Sequence, residues 1–250
     1  MVHMLRLVLL VVLTAYGSHA FAEGYCRKVM HRGDDYTVCT VDPAKSTIRL
    51  HDLDRQGKPY KTFHALADAL WADRIFMRIA INGGMYQPDF SPVGLYIENG
   101  IEKQKINLNP GWGNFHLLPN GVFYLLPHGA GVMEAKAYVA SGIKPVYATQ
   151  SGPMLVIDGK IHPKFDPRSD SLKKRNGVGL SRDGQVVFAI SEGNVRFYDF
   201  ATLFRDVLDC RNALFLDGTI SALYVPEWHR SDDAYPLGPI ISVEITIPPG

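Results

Sequence analysis

Asn-Gly and Asp-Gly pairs that separate apolar segments constrain the fold of this chain more than any other feature of its sequence. Four such pairs lie between residues 99 and 184, at Asn99-Gly100, Asn120-Gly121, Asp158-Gly159 and Asp183-Gly184. A pair of this type between two apolar runs is the strongest short-range signal of a β-hairpin, because both residues tolerate the positive φ angles of a tight turn. The sequence therefore predicts a sheet system rich in antiparallel hairpins.

The remaining periodicity predicts further strands and a few helices. Alternating or continuous apolar residues predict strands over residues 36–41, 47–51, 75–81, 213–216 and 240–247. Helical spacing predicts a helix that begins after Thr62, a short helix over 133–141 and a helix over 200–210. No linker or repeat follows residue 23. We therefore expect a single α+β domain with a mixed, largely antiparallel β-sheet rich in hairpins and a few flanking helices.

The N-terminus has the pattern of a secretory signal peptide. Leu5 to Ala15 is nearly all apolar, and Ala20-Phe21-Ala22 offers small residues at the two positions that a signal peptidase reads. We expect residues 1–22 to be a signal peptide and residues 23–250 to be the mature domain, secreted or periplasmic. The apolar run is too short for a stable membrane span, although a retained N-terminal anchor is the alternative.

Charge and cysteine content narrow the partners and cofactors. The chain has 26 basic and 25 acidic residues, and loss of the signal peptide with Arg6 makes the two equal. A neutral protein has no general attraction to nucleic acid. In an exported protein Cys26 and Cys39 could form a disulfide, whereas Cys210 is expected to be a buried, inert thiol. No Cys-x-x-Cys or His-x-x-x-His pair is present, so we predict no cofactor and no metal site, with a divalent cation left open.

Small and polar residues occur together at the ends of three predicted strands. Glycines in such segments leave backbone N–H groups uncovered, and these can bind a phosphate or an oxyanion. Asp217 follows the buried strand over 213–216, and Gly218 is expected to take a backbone angle that other residues avoid. Ordinary turns are the competing interpretation of each segment. The candidate residues are Asn82, Gly83 and Gly84, then Gln150, Ser151 and Gly152, and finally Asp217, Gly218 and Ser221.

Two further charged residues are candidates for the same site. Arg175 precedes Asn176-Gly177 at the start of an apolar segment, where an arginine can bind a phosphate with two hydrogen bonds. Glu192 follows a predicted strand and could share a cleft with Asp217, as paired carboxylates do in glycosidases. A serine-hydrolase triad is not predicted, because Ser151 lacks the Gly-x-Ser-x-Gly motif. His116 and His162 are interpreted as surface histidines.

Four motifs in sequence order resemble the phosphodiester glycosidase family. They are Ile81-Asn82-Gly83-Gly84-Met85-Tyr86, Ser151-Gly152-Pro153-Met154-Leu155, Arg175-Asn176-Gly177-Val178-Gly179 and Leu216-Asp217-Gly218 with Ser221. The resemblance covers residues 75–225 and implies hydrolysis of a sugar-1-phosphodiester, on a glycan or a cell-surface polymer. By position, Asn82, Gly83, Gly84, Arg175 and Asp217 match the site motifs of the family.

The resemblance implies roles for these residues and also leaves an alternative. Asp217 would be the base or nucleophile, while Arg175 and the uncovered backbone amides near Gly83 and Gly152 would hold the phosphate, and Asn82 is a further catalytic candidate. The family pattern after the aspartate is commonly Gly-Gly-Gly-Ser, whereas Thr219 and Ile220 stand here, and Asn176 stands where a threonine often follows the arginine. The alternatives are a non-catalytic glycan- or phosphate-binding envelope protein on the same scaffold and a hydrolase of other specificity. The oligomeric state is not predicted.

Overall fold

Three antiparallel sheets make up most of the structure, a computed structural model that describes residues 25–248. The predicted signal peptide lies outside these described residues. The largest sheet has seven strands in the order β1-β2-β13-β12-β14-β10-β11. Its strands are β1 (Cys26–His31), β2 (Asp34–Val41), β10 (Met154–Ile157), β11 (Lys160–Ile161), β12 (Asn176–Ser181), β13 (Val186–Ser191) and β14 (Cys210–Asp217).

The other two sheets have five strands each. The second sheet has the order β16-β15-β4-β17-β3, with β3 (Thr47–His51), β4 (Ile75–Asn82), β15 (Leu223–Val225), β16 (Arg230–Ser231) and β17 (Ile240–Thr246). The third has the order β6-β5-β9-β7-β8, with β5 (Tyr96–Glu98), β6 (Ile101–Gln104), β7 (Gly121–Leu126), β8 (Gly129–Glu134) and β9 (Tyr147–Ser151). Every pairing between these strands in residues 25–248 is antiparallel. The prediction of a largely antiparallel sheet is therefore confirmed. The parallel strand pairs expected of a mixed sheet are not found among these residues.

Three of the four predicted hairpin turns are confirmed. Asn99-Gly100 joins β5 to β6, Asp158-Gly159 joins β10 to β11, and Asp183-Gly184 lies between β12 and β13. The prediction for Asn120-Gly121 is wrong, because Gly121 is the first residue of β7 and pairs with both β8 and β9. A Cβ at Gly121 would lie 2.3 Å from Met154 Sδ, so the glycine there serves close packing rather than a turn.

The helices are short and lie outside the sheets. They are α1 (Phe63–Ala72), α2 (Ala135–Ser141) and α3 (Phe197–Thr202), and one π-helical turn (Leu203–Val207) follows α3. Thr62 caps α1 as predicted, since its Oγ1 accepts a hydrogen bond of 3.1 Å from Ala65 N. The helix predicted over 200–210 instead begins at Phe197 and ends at Val207, and Cys210 is the first residue of β14.

The apolar run before Asp217 is buried on both faces of the seven-stranded sheet. Leu214 and Leu216 pack in a central cluster to which all three sheets contribute, whereas Ala213 and Phe215 pack against α3. This two-sided burial explains why β14 is a continuous apolar run rather than an alternating one. It also gives Asp217, the last residue of β14, a rigid base.

The structure decides the pairing of the cysteines that the sequence left open, and it confirms that Cys210 is buried. Cys26 and Cys39 face each other in the β1–β2 ladder and form a disulfide. Cys210 is a free, buried thiol, and burial raises its pKa to about 12. A thiol that stays protonated is a poor nucleophile, so Cys210 has a packing role.

Candidate active site

Three strand ends that are distant in sequence meet at one point between the first and second sheets. Asn176, the first residue of β12, donates from Nδ2 to Asn82 Oδ1 at 2.7 Å and to Asn82 O at 3.1 Å. Its Oδ1 accepts a hydrogen bond of 2.8 Å from Asp217 N. The structure therefore brings Asn82, Asn176 and Asp217 together, with Asn176 as the residue that links the other two.

The Asn82 side chain has a fixed orientation and one unused donor. Its Oδ1 also accepts from Ala222 N at 2.9 Å, so two donors identify this atom as the oxygen. The amide nitrogen Nδ2 is buried and makes no hydrogen bond of ordinary geometry among the described residues, although it lies near enough to the Asp217 carboxylate to favour its ionised form. A buried donor without a partner costs free energy, which is recovered if a ligand accepts from it.

Asp217 is a buried carboxylate at the bottom of a cleft. Its side chain accepts a hydrogen bond of 2.6 Å from Gly218 N at Oδ1, and among the described residues Oδ2 has no partner. Burial raises the pKa of Asp217 to about 6, and the Gly218 N–H and the nearby Asn82 amide partly oppose this by favouring the ionised form. A carboxylate with this pKa can take up and release a proton near neutral pH.

A β-bulge and a tight turn set the position of Asp217. Asn176 pairs with Asp217 whereas Gly177 pairs with Phe215, so β14 contains one extra residue at this point. After the strand, Ser221 Oγ donates to Asp217 O at 2.9 Å and Ser221 N donates to Gly218 O at 2.7 Å. Both Gly218 and Ser221 thus support the aspartate through the backbone of the turn.

The expectation of an unusual backbone angle in this turn is wrong. The described residues with positive φ include neither Gly218 nor Thr219 nor Ile220. The β-branched residues at 219 and 220 therefore fit the turn without strain, and their side chains rather than the backbone distinguish it from a glycine-rich one. Ile220 lines the cleft, so it limits the space beside Asp217.

The cleft that opens above Asp217 has a volume of about 380 Å³. Two larger clefts, of about 620 and 450 Å³, contain none of the predicted site residues. No lysine or arginine lines the Asp217 cleft in the described part of the chain. Its lining residues are Met85, Tyr86, Gln87, Val93, Trp112, Gly113, Asn114, Phe115, His116, Asp217 and Ile220.

His116 is a cleft residue that sequence reasoning interpreted as an ordinary surface histidine. Its Nδ1 lies 3.0 Å from the carbonyl oxygen of Asn109, which requires a proton on Nδ1 and leaves Nε2 as the acceptor in the neutral ring. The loop before it contains Gly111, Trp112 and Gly113, and a tryptophan between two glycines is the signal that could have identified this loop as functional.

Gln150, Ser151 and Gly152 support the cleft without lining it. Gln150 Oε1 accepts from Leu95 N at 3.0 Å and from Asn107 N at 2.8 Å, so this buried amide anchors the loop that carries the cleft wall. Ser151 Oγ donates to Leu216 O at 2.9 Å. Both side chains therefore make hydrogen bonds within the protein and have a structural role.

The unpaired backbone N–H donors in this segment belong to Gly84 and Met85 rather than to Gly83. Gly83 N donates to Pro239 O at 2.6 Å and is not free, whereas Gly84 N and Met85 N have no acceptor among the described residues. Gly84 has a φ of +142°, and a Cβ there would lie 3.0 Å from Thr149 Oγ1. Because Gly84 has no side chain, the chain can pass close to β9 here. The backbone N–H groups of Gly84 and Met85 are left unpaired.

Arg175 is buried beside the site rather than in the cleft. Its side chain is 1% exposed, and its guanidinium lies 3.6 Å from the ring centroid of Phe197. Nε donates to Val195 O at 2.9 Å and Nη2 to Ser171 O at 3.0 Å, while Nη1 is buried without a partner among the described residues. Burial lowers the pKa of Arg175 to about 10. Arg175 is not a cleft-lining residue and makes no contribution to the shifted pKa of Asp217.

Glu192 belongs to an ion-pair network outside the cleft. It accepts from Lys28 Nζ at 2.6 Å, from Arg230 Nη1 at 2.8 Å and from Thr37 Oγ1. Burial opposes ionisation of Glu192, but these hydrogen bonds outweigh it and lower its pKa to about 2. None of these partners lines the Asp217 cleft, so the structure does not pair Glu192 with Asp217.

The glycines of the site are expected to differ sharply in their tolerance of a side chain. A Cβ at Gly152 would lie 2.7 Å from Asn120 Cβ and 2.8 Å from Phe115 O, so Gly152→Ala should lower the free energy of unfolding by about 1–3 kcal/mol. A Cβ at Gly218 would lie 3.7 Å from its nearest neighbour, Phe215 Cζ, so Gly218→Ala should change the free energy of unfolding by less than about 1 kcal/mol. Urea unfolding of both variants checks this, and equal losses would contradict it.

Among the described residues, no group of three or more His, Cys, Asp or Glu side chains is arranged to hold a metal ion. No helix in residues 25–248 is long and apolar enough to cross a membrane. The absence of a cofactor stays a prediction.

A buried carboxylate with a raised pKa, at the bottom of an open cleft, is an arrangement typical of a functional site. The chain belongs to the phosphodiester glycosidase family, whose sequence profile matches residues 77–243. The resemblance of the four motifs is thereby confirmed.

Comparisons with individual proteins agree with this family. The chain is 40% identical over 211 residues to the uncharacterized protein YigE of Escherichia coli K12. This alignment covers 82% of the chain and 80% of YigE. The fold of the chain is similar to the catalytic domain of zebrafish N-acetylglucosamine-1-phosphodiester α-N-acetylglucosaminidase, auto-inhibited by its pro-peptide (TM-score 0.61, 15% identity, 88% of this chain and 81% of that one). A hypothetical protein from Synechocystis is also similar (TM-score 0.54, 16% identity, 88% and 61%).

Proposed function

We propose that the protein is an exported hydrolase that cleaves a sugar-1-phosphodiester, releasing the sugar and leaving a phosphomonoester. The observation that carries the proposal is the buried Asp217 carboxylate at the bottom of the cleft, beside which the Asn82 side chain has a buried Nδ2 without a hydrogen bond of ordinary geometry. Membership in the phosphodiester glycosidase family supports hydrolysis of this kind of bond.

The location and domain organisation are part of the same proposal. A disulfide between Cys26 and Cys39 supports a secreted or periplasmic location, because such bonds persist in oxidising compartments. The central apolar cluster contains side chains from all three sheets, which supports one α+β domain over residues 23–250.

In the reaction the bond between the anomeric carbon and the phosphate oxygen breaks, and the bonding electrons leave with the phosphate. As a base, Asp217 Oδ2 takes a proton from the water whose oxygen joins the anomeric carbon. As a nucleophile, it forms a glycosyl ester that water then hydrolyses. The anomeric form of the released sugar distinguishes these routes, since direct attack of water inverts the carbon and the ester route retains its configuration.

The phosphate is proposed to lie against neutral donors. Asn82 Nδ2 and the unpaired N–H groups of Gly84 and Met85 can donate to its oxygens. In this proposal Arg175 adds positive charge from beside the site, where its Nη1 has no partner among the described residues. A phosphate whose charge is balanced in this way is a good leaving group and needs little help from an acid.

The rate of hydrolysis should rise with pH through the pKa of Asp217. Both proposed roles need the ionised carboxylate, and its pKa is raised to about 6. We expect kcat/KM to increase from pH 5 to pH 7 and then to level off, because the phosphodiester itself does not titrate in this range. A profile without change between pH 5 and pH 7 would contradict an ionised Asp217.

A non-catalytic glycan-binding role is the second candidate. The lining of the described cleft contains no lysine or arginine, which favours a neutral ligand over a phosphate. The two candidates differ in turnover and in whether the ligand carries a phosphate.

The deciding experiment incubates the full chain with α-linked N-acetylglucosamine-1-phosphodiesters and with the same sugar on other phosphate esters. We expect free sugar and a phosphomonoester, whereas bis-p-nitrophenyl phosphate, which has no sugar, should be left intact. If no sugar phosphodiester is turned over while neutral glycans bind, the enzyme proposal fails and the second candidate stands. Cleavage of the sugar-free ester would indicate a general phosphodiesterase.

A further inference from the structure

We propose that Trp112 forms a second sugar subsite at the open end of the cleft, so that the natural ligand has more than one sugar ring. The proposal deepens the function proposed above and rests on it for the sugar that binds near Asp217. The indole side chain of Trp112 is almost fully exposed to solvent. Trp112 is 98% exposed, compared with 61% for Trp71 and 37% for Trp228.

The exposure of Trp112 does not come from a loosely held loop. Asn107, on one side, donates from its backbone to Gln150 Oε1 at 2.8 Å and from Nδ2 to Val93 O at 3.1 Å. On the other side, the His116 ring bonds to Asn109 O at 3.0 Å and packs so closely on Gly111 that a Cβ there would lie 2.5 Å from Nε2. The loop is anchored at both ends, and Trp112 is the aromatic side chain among its exposed residues 108–114.

A single exposed apolar side chain is common on a protein surface, so it is the position of Trp112 in the cleft that indicates a binding surface. Trp112 also lines the cleft, whereas Asp217 at its bottom is only 9% exposed. The two residues therefore mark the open and the closed end of one cleft. A ligand that reaches both is longer than the group that reacts at Asp217.

The other lining residues indicate that the part of the ligand at this open end of the cleft is a neutral polyol. The described cleft has no lysine or arginine to balance a diphosphate, which disfavours a nucleotide. The side-chain amides of Gln87 and Asn114 make no hydrogen bond to other described residues and are free to bind hydroxyl groups. Tyr86 adds a second aromatic wall, held by a stacked Phe90 at 5.4 Å and by a hydrogen bond of 2.5 Å to Pro236 O. Aromatic faces beside amides suit a sugar ring, which presents both C–H faces and hydroxyl groups.

The test measures binding of neutral oligosaccharides, which carry no phosphate and cannot be turned over as phosphodiesters. The ligands are tetrasaccharides of β-1,4-N-acetylglucosamine, β-1,4-glucose and α-1,4-glucose, with the matching monosaccharides, titrated by calorimetry and tryptophan fluorescence. We expect wild type to bind at least one tetrasaccharide and Trp112→Ala to bind it about tenfold more weakly. Trp112→Phe should bind it within about threefold of wild type, because the aromatic face remains.

Trp71→Ala is the matched control, since Trp71 is exposed on α1 and does not line the cleft. It should bind every ligand as wild type does, and monosaccharide affinity should not change in Trp112→Ala. The inference is overturned if wild type binds none of the tetrasaccharides, if Trp112→Ala binds them as tightly as wild type, or if uridine diphosphate is the ligand that depends on Trp112. Trp112-dependent binding without hydrolysis of any phosphodiester would uphold the subsite and reject the proposed enzyme.

Discussion

Asp217→Asn is expected to lower kcat for sugar-phosphodiester hydrolysis by about 10³-fold, whether the carboxylate acts as base or nucleophile. The amide is nearly isosteric, but it cannot accept a proton or form a glycosyl ester. Initial rates of sugar release by wild type and variant measure the loss. Asp158→Asn is the matched control, because its carboxylate is exposed in the β10–β11 turn and should leave the rate unchanged.

The same substitution should not weaken the fold, which separates a catalytic effect from a structural one. Burial raises the pKa of Asp217 from 3.8 to about 6, so the folded state prefers the neutral acid. The contribution of Asp217 to stability should therefore fall as the pH rises from about 4 to above 6, so that the stability of Asp217→Asn relative to wild type should increase by up to about 3 kcal/mol over this range. Urea unfolding at pH 4 and pH 8 measures the difference. Wild-type activity in the variant would clear Asp217 of any role in the reaction.

Arg175→Met is expected to lower the free energy of unfolding by about 2–4 kcal/mol. The variant leaves the carbonyl of Ser171 without its donor, leaves that of Val195 with Lys173 N alone, and removes the guanidinium that packs on Phe197. Urea unfolding measures the loss. Arg182→Met is the control, since the Arg182 side chain is 77% exposed and its ion pair with Asp209 should contribute less than about 1 kcal/mol. If Arg175→Met were as stable as wild type, the buried guanidinium would have no structural role.

Activity measurements on Arg175→Met test whether the arginine also acts on the phosphate. If Nη1 balances its charge, kcat/KM should fall for phosphodiesters and stay unchanged for an uncharged aryl glycoside of the same sugar. An equal fall for both substrates would indicate that Arg175 only holds the loops at Ser171 and Val195 in place.

Residues that act through their own backbone or their nearest neighbours in sequence were predictable. Thr62 caps α1, Asp183-Gly184 lies between β12 and β13, and the apolar run before Asp217 is a strand buried on both faces. The order of the four motifs was also sufficient to identify the family, because a motif is itself a local pattern.

Only the tertiary structure decides which polar residues lie next to one another. The sequence placed Arg175 and Glu192 with Asp217, but Arg175 turns into an aromatic cluster and Glu192 into an ion-pair network. His116 and Trp112 reach the cleft on a loop whose path depends on the distant Gln150 side chain. The sequence by itself thus determined the local elements and the acid at the end of β14. The residues that surround this acid were decided by hydrogen bonds and packing between segments far apart in the chain, and no local pattern encodes those contacts.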